Sequence, residues 1–147
     1  MNKYRVEPKV DELTKNGRIY PRDVVKNAIE NFKEGNPYSL GEIGQSFGNR
    51  EDPSVIDLQK VSHITRDIYI DENNDIICEI EFLNNYESLE EIEPKFGLRS
   101  FGKINENNEV YDLKIETVDL IGLKNKEDIN KEEVDSFLIF GDTFKIE

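Results

Sequence analysis

The chain has 147 residues, 36% of them hydrophobic and 35% charged, a balance that suits one soluble globular domain with a sizeable core. Nineteen basic residues against 32 acidic give a net charge of −13, so the summed field repels nucleic acid and anionic membrane surfaces and fits a protein that stays soluble at high concentration or one that docks on a basic partner. The single cysteine, Cys78, excludes an internal disulfide, no apolar run approaches the roughly 20 residues that span a bilayer, and no signal-peptide-like apolar segment follows Met1–Arg5, so synthesis in a reducing cytosol is expected.

In chain order, residues 4–14 carry Val6, Val10 and Leu13 among charges, with Pro8 interrupting, and predict an edge strand or extended arm. Asn16-Gly17 signals a turn, and Pro21 then sits where a helix begins. Val24, Val25, Ala28, Ile29 and Phe32 follow at helical spacing, and Gly35 and Pro37 end that helix. Residues 38–60 have no clear period; Gly44 to Pro53 is loop-like by composition. Between Lys60 and Leu83 the pattern predicts a hairpin, with Ile64, Ile68 and Ile70 alternating on one strand and Ile76, Cys78, Ile80 and Phe82 on the other. Asp71-Glu72-Asn73-Asn74-Asp75 is its polar loop.

Ser88 and Glu91 have capping-box spacing before Pro94, which predicts a short helix. The run Phe96-Gly97-Leu98-Arg99-Ser100-Phe101-Gly102 then predicts a sharp turn holding a serine, with a strand leaving from Ser100. A second polar loop, Asn105-Glu106-Asn107-Asn108, leads to a strand with Val110, Leu113, Ile115, Val118 and Leu120, whose apolar phase shifts between Ile115 and Val118 and so predicts a bulge. Residues 125–133 read as a charged linker or helical turn, and Phe137 to Ile146 as a last strand or hairpin. The sum is an α+β chain, mainly antiparallel, with six or seven strands and two or three helices.

No catalytic constellation is complete on residue types alone. The one histidine, His63, lies on the face of Val61, Thr65 and Tyr69 and reads as structural. One His and one Cys on separate strands supply no metal site, the carboxylates are scattered, and no phosphate-binding glycine loop is present, so neither metal nor cofactor is expected. Tyr38, Phe47 and Tyr86 are aromatic residues in loop-like segments that could anchor a partner.

The order Asn16-Gly17-Arg18-Ile19-Tyr20-Pro21 before an amphipathic helix, then Gly41-Glu42-Ile43-Gly44, Asp52-Pro53, a hairpin and the Gly97 run, resembles the prohead core proteases of large tailed phages. The resemblance covers about residues 16–122. It implies a herpesvirus assemblin-like β-barrel flanked by two or three helices, within a single domain over 1–147 that has an N-terminal arm (1–15) and a C-terminal extension (123–147). In that family a Gly-Glu-Leu-x-His-Pro stretch supplies the catalytic histidine and a Gly-Val-Ser-Ser-Arg-Gly turn the serine.

This chain has Gln45 at the histidine position, and an amide cannot take a proton from a serine. Arg99 stands at the first serine and Ser100 at the second; a guanidinium cannot attack a carbonyl. A rebuilt centre from Ser100 and His63 would need a serine one residue out of register, on the opposite strand face. The expectation is therefore a catalytically inactive protease fold retained for binding: an auxiliary or decoration protein of the virion capsid, or a scaffold component, made in the host cytoplasm. Its expected partner is the major capsid protein or another head protein, with homo-oligomers possible and no nucleic acid or membrane. The alternative is an active prohead maturation serine protease with the Ser100/His63 centre.

Overall fold

Two hairpins with the same loop chemistry frame the sheet. The computed structural model describes residues 2–14, 17–35, 38–42 and 58–123. Strand β1 (Asn2–Glu7) and helix α1 (Arg22–Gly35) precede β2 (Ser39–Glu42), β3 (Val61–Ile70), β4 (Ile76–Phe82), β5 (Pro94–Ile104) and β6 (Val110–Leu123). In the β3–β4 loop, the Asp71 carboxylate accepts the backbone N–H groups of Asn73 and Asp75 at 2.9 and 3.0 Å. In the β5–β6 loop, the Asn105 side chain does the same for Asn107 and Glu109 at 2.8 and 3.0 Å. Asn74 and Asn108 both take φ 63°, the left-handed region that asparagine tolerates.

The six strands form one sheet in the order β2-β3-β4-β1-β5-β6, antiparallel throughout except for β1 against β5. β2 and β6, the two ends, lie against each other, so the sheet is a nearly closed barrel. β1 is consequently an interior strand, where an edge strand or arm was expected. Pro8, read as an interruption, falls just after the last residue of β1 and leaves every ladder position free to donate.

Bulges bend the sheet shut. From Arg99 to Ser100 β5 advances one residue while its partner advances from Thr117 to Ile115, so Glu116 is an extra residue in β6. The same arithmetic makes Ile121 extra opposite Lys95–Phe96, and a third shift lies beside Asp112, which has φ 50°. On β3, Ser62 is extra against β2 and Arg66 against β4. The predicted phase shift between Ile115 and Val118 is the Glu116 bulge. It keeps Leu113 and Ile115 on the same buried face as Val118 and Leu120.

β2 reaches only as far along β3 as Thr65, and α1 takes the place of a longer strand by packing on β6 and β3. Its buried face is Val25, Ala28, Ile29 and Phe32, as the spacing predicts. Burying each of the three larger side chains contributes about 1.5–3 kcal/mol. The helix N-terminus is capped from a distance, the Arg22 N–H donating to Asp11 Oδ1 at 2.9 Å. They join Val6, Ile68, Ile76, Cys78, Ile80, Phe82, Phe96, Leu98 and Val118 in one core.

Two local expectations fail. The expected turn at Gly97 is absent, because β5 runs unbroken from Pro94 to Ile104. Gly97 is there for close approach: a Cβ would come within 3.2 Å of the bulged Ile121 side chain. The expected helix after Ser88 is a 3-10 helix from Asn84 to Ile92 whose N-cap is Leu83, so Ser88 sits mid-helix and forms no capping box. Gly44 to Pro53 and Phe137 to Ile146 lie outside the described residues.

A second glycine is fixed by sterics. A Cβ on Gly41 would collide with the His63 ring and with the carbonyl oxygen of Val118. Gly41→Ala is expected to cost about 3 kcal/mol in urea unfolding at unchanged slope. Gly35→Ala, in open space at the helix end, is expected to be neutral or to gain up to about 1 kcal/mol.

Candidate functional site

Arg99 pairs across the ladder with Thr117, and Gly97 with Asp119, so Arg99, Thr117 and Asp119 share one face of the β5–β6 ribbon. The Arg99 guanidinium grips Asp119 with two bonds, Nε to Oδ2 at 2.8 Å and Nη2 to Oδ1 at 2.9 Å. Nη2 also donates to Glu42 Oε2 on β2 at 3.2 Å. The side chains of all three residues are at most 1% exposed. The Glu42 backbone N–H returns to Asp119 Oδ1 at 3.0 Å, and the Thr117 hydroxyl donates to the Leu40 carbonyl at 2.6 Å. These bonds tie β2 to β6 at the barrel seam.

Two carboxylates and one guanidinium are thus held together out of water. Burial pushes the Asp119 carboxyl above its ordinary range, against the opposing pull of Arg99. For Arg99 burial works against the charge, but the bonds and charges of Asp119 and Glu42 outweigh it and hold the guanidinium more firmly protonated than usual. This triad is locked in charged hydrogen bonds and offers no nucleophile.

His63 lies inside the barrel, packed edge-on against Phe96 with ring centroids 5.0 Å apart. The Ser62 and Arg66 bulges change the phase of β3, so His63 faces Phe82 with Thr65 across from Ile80, while Ile68 and Ile70 continue the core face and Tyr69 leaves it. Its Nε2 lies 2.8 Å from the Val118 carbonyl and must carry the proton. Nδ1 is then the acceptor for the Ser62 hydroxyl at 2.8 Å. Burial drives the imidazole pKa from 6.5 down to about 4, partly offset by the Val118 bond.

The wiring Ser62, His63, Val118 carbonyl has the order of a nucleophile, base and orienter. It is nevertheless sealed, since Ser62 and His63 are fully buried and the ring fills the space that Gly41 leaves. No acyl group can reach Ser62 in this packing.

Ser100 lies on the other face of β5 from Arg99, alongside Leu98 and opposite Ile115. It stands four residues, about 13 Å of strand, from the Phe96 that His63 touches. Both His63 nitrogens are engaged, Nδ1 by Ser62 and Nε2 by Val118. Gln45 lies outside the described residues. Among the described residues no group of His, Cys, Asp or Glu could hold a metal, and no helix is long and apolar enough to cross a membrane.

Asp119, Ser62 and Thr117 were not expected from sequence. The signal for Asp119 was available: a lone carboxylate inside Val118-Asp119-Leu120-Ile121 must be either surface-directed or paired. Of the aromatic residues proposed as anchors, Tyr38 is exposed with Arg66 over its ring at 5.4 Å, Tyr86 packs on the core, and Phe47 lies outside the described residues.

Removing one member of the triad strands the others. Arg99→Met is expected to destabilise the chain by about 3–5 kcal/mol in urea unfolding, and Thr117→Val by about 1–2 kcal/mol. His63 is the only imidazole, so its titration is unambiguous. Between pH 6.5 and 4 the unfolded chain binds a proton that the folded chain refuses. Stability therefore falls as pH falls through that window, by about 3 kcal/mol in all. Imidazole NMR is expected to give a midpoint near pH 4 and an Nε2–H tautomer, and His63→Gln is expected to flatten this part of the stability profile.

Neither a protein-family model nor a curated protein sequence matches the chain. Its fold is similar to that in a solved structure of the capsid assembly protease gp21 of bacteriophage T4, with a TM-score of 0.62 and 17% identity over 77% of this chain and 76% of that one. The chain thus has the nearly closed, mostly antiparallel six-stranded barrel of a phage prohead protease-like fold.

Proposed function

We propose that the chain is a non-cleaving head protein of a tailed phage: an auxiliary or decoration protein of the capsid, or a scaffold component, that binds the major capsid protein. The observation that carries this reading is the buried Glu42–Arg99–Asp119 triad. Arg99 stands where the prohead-protease resemblance puts the serine nucleophile, and the strand positions around it serve to hold the seam. The likeness to a capsid assembly protease supports a place in head assembly. A net charge of −13 favours basic capsid patches or the outer surface over packaged DNA.

The rival, a maturation serine protease using Ser100 and His63, requires Ser100 to approach an imidazole whose nitrogens are already engaged. A hydroxyl without a base is a poor nucleophile, and loss of a catalytic pair lowers turnover by factors on the order of a million.

A fluorophosphonate probe is expected to label neither Ser62 nor Ser100 in the folded chain at neutral pH. Labelling of either residue that disappears in His63→Gln would establish a working protease and overturn the proposal. Mass spectrometry of purified virions is expected to find the chain at a fixed ratio to the major capsid protein; virions without it remove the decoration role.

A further inference from the structure

Beyond Thr65 the far edge of β3 has no strand neighbour among the described residues, because β2 ends at Ser39 opposite that residue. Hydrogen-bonding groups of this edge point away from β4 at Ile68. Its N–H donates to Asp67 Oδ1 at 2.8 Å and its carbonyl accepts Lys33 Nζ at 3.0 Å. Lys33 and Asp67 are themselves an ion pair at 2.8 Å. The two side chains thus occupy the donor and acceptor that an added antiparallel strand would use, and in a strand Ile70 presents the next outward pair.

Beside this edge runs a groove of about 640 Å³ between β3 and α1, with Ile29, Ile68 and Ile70 among its lining residues. Cations Arg22, Lys26 and Lys33 lie along its helical wall, with Glu30 between the last two and Glu34 beyond Lys33. On a chain with 19 basic and 32 acidic residues, this is a local reversal of sign.

We propose that the β3 edge from Arg66 to Ile70 and the α1 groove form a strand-docking site for an extended acidic segment of a partner protein. The segment adds antiparallel to β3, displaces the Lys33–Asp67 clamp from Ile68, sets alternate apolar side chains on Ile29 and Ile70, and turns its carboxylates to Arg22, Lys26 and Lys33. The clamp keeps the edge from pairing indiscriminately while the site is empty. The inference deepens the binding role proposed above by naming a surface and the chemistry of its partner.

The test is an NMR titration of the ¹⁵N-labelled full chain with two synthetic decapeptides, one alternating valine with glutamate and one alternating valine with lysine. The acidic peptide is expected to shift the amides of Ile68 to Ile70 and to bind at least tenfold more tightly than the basic one. Lys26→Glu, at an exposed helix position that leaves folding intact, is expected to weaken it at least threefold. Shifts confined to other residues, equal affinity for both peptides, no binding, or self-association of the chain through the same amides in ultracentrifugation would each overturn the proposal. Absence of the chain from virions would instead sink the capsid reading and leave this titration unaffected.

Discussion

The barrel depends on a seam that has side chains in place of a ladder. β2 is four residues long, and what holds it to β6 is the Thr117 hydroxyl on the Leu40 carbonyl, the Glu42 amide on Asp119, and Arg99 bridging Asp119 to Glu42. From inside the barrel, His63 reaches across to the Val118 carbonyl. A buried ion cluster is not stabilising merely by being buried, because taking three charges out of water costs several kcal/mol per ion. What it supplies is geometry. A planar guanidinium with two bonds to one carboxylate and a third to another fixes three strands in one register, which apolar side chains of equal volume would leave free to slide.

The seam can close because extra residues are distributed to bring it together. All the register shifts of the β5–β6 pair fall in β6, and those of β3 fall at Ser62 and Arg66, so the two strands flanking β2 are the bent ones. The same insertions decide which chemistry meets which. The Glu116 bulge keeps Arg99 facing Thr117 and Ser100 facing Ile115. The Ser62 bulge brings its hydroxyl onto His63, so the imidazole is satisfied on both sides. A one-residue change in either bulge would exchange the polar seam face for the apolar core face.

Where a segment's local chemistry fixes its own shape, the sequence was sufficient. The α1 stripe, the two Asx-anchored hairpin loops and the β6 bulge follow from spacing and residue type, and each has the expected place. Where shape is imposed from elsewhere, it was not. Gly97 reads as a turn until the distant Ile121 side chain is known to press on it. β1 reads as an arm because nothing local says that β4 and β5 close around it. The site shows the same division. Arg99 could be singled out from residue type, but its partners come from 57 and 20 positions away, and no local pattern joins Glu42, Arg99 and Asp119.

These partners also bear on how the parts of the seam depend on one another. Arg99 is enclosed by two carboxylates, Gly41 makes room for an imidazole turned toward a backbone carbonyl, and the Ser62 hydroxyl bonded to that imidazole is buried. Replacing Arg99 by serine would remove its bonds to two carboxylates buried in the seam, Glu42 and Asp119, and so loosen β2. The side chains here are mutually dependent as parts of a joint that sets the register of three strands at once.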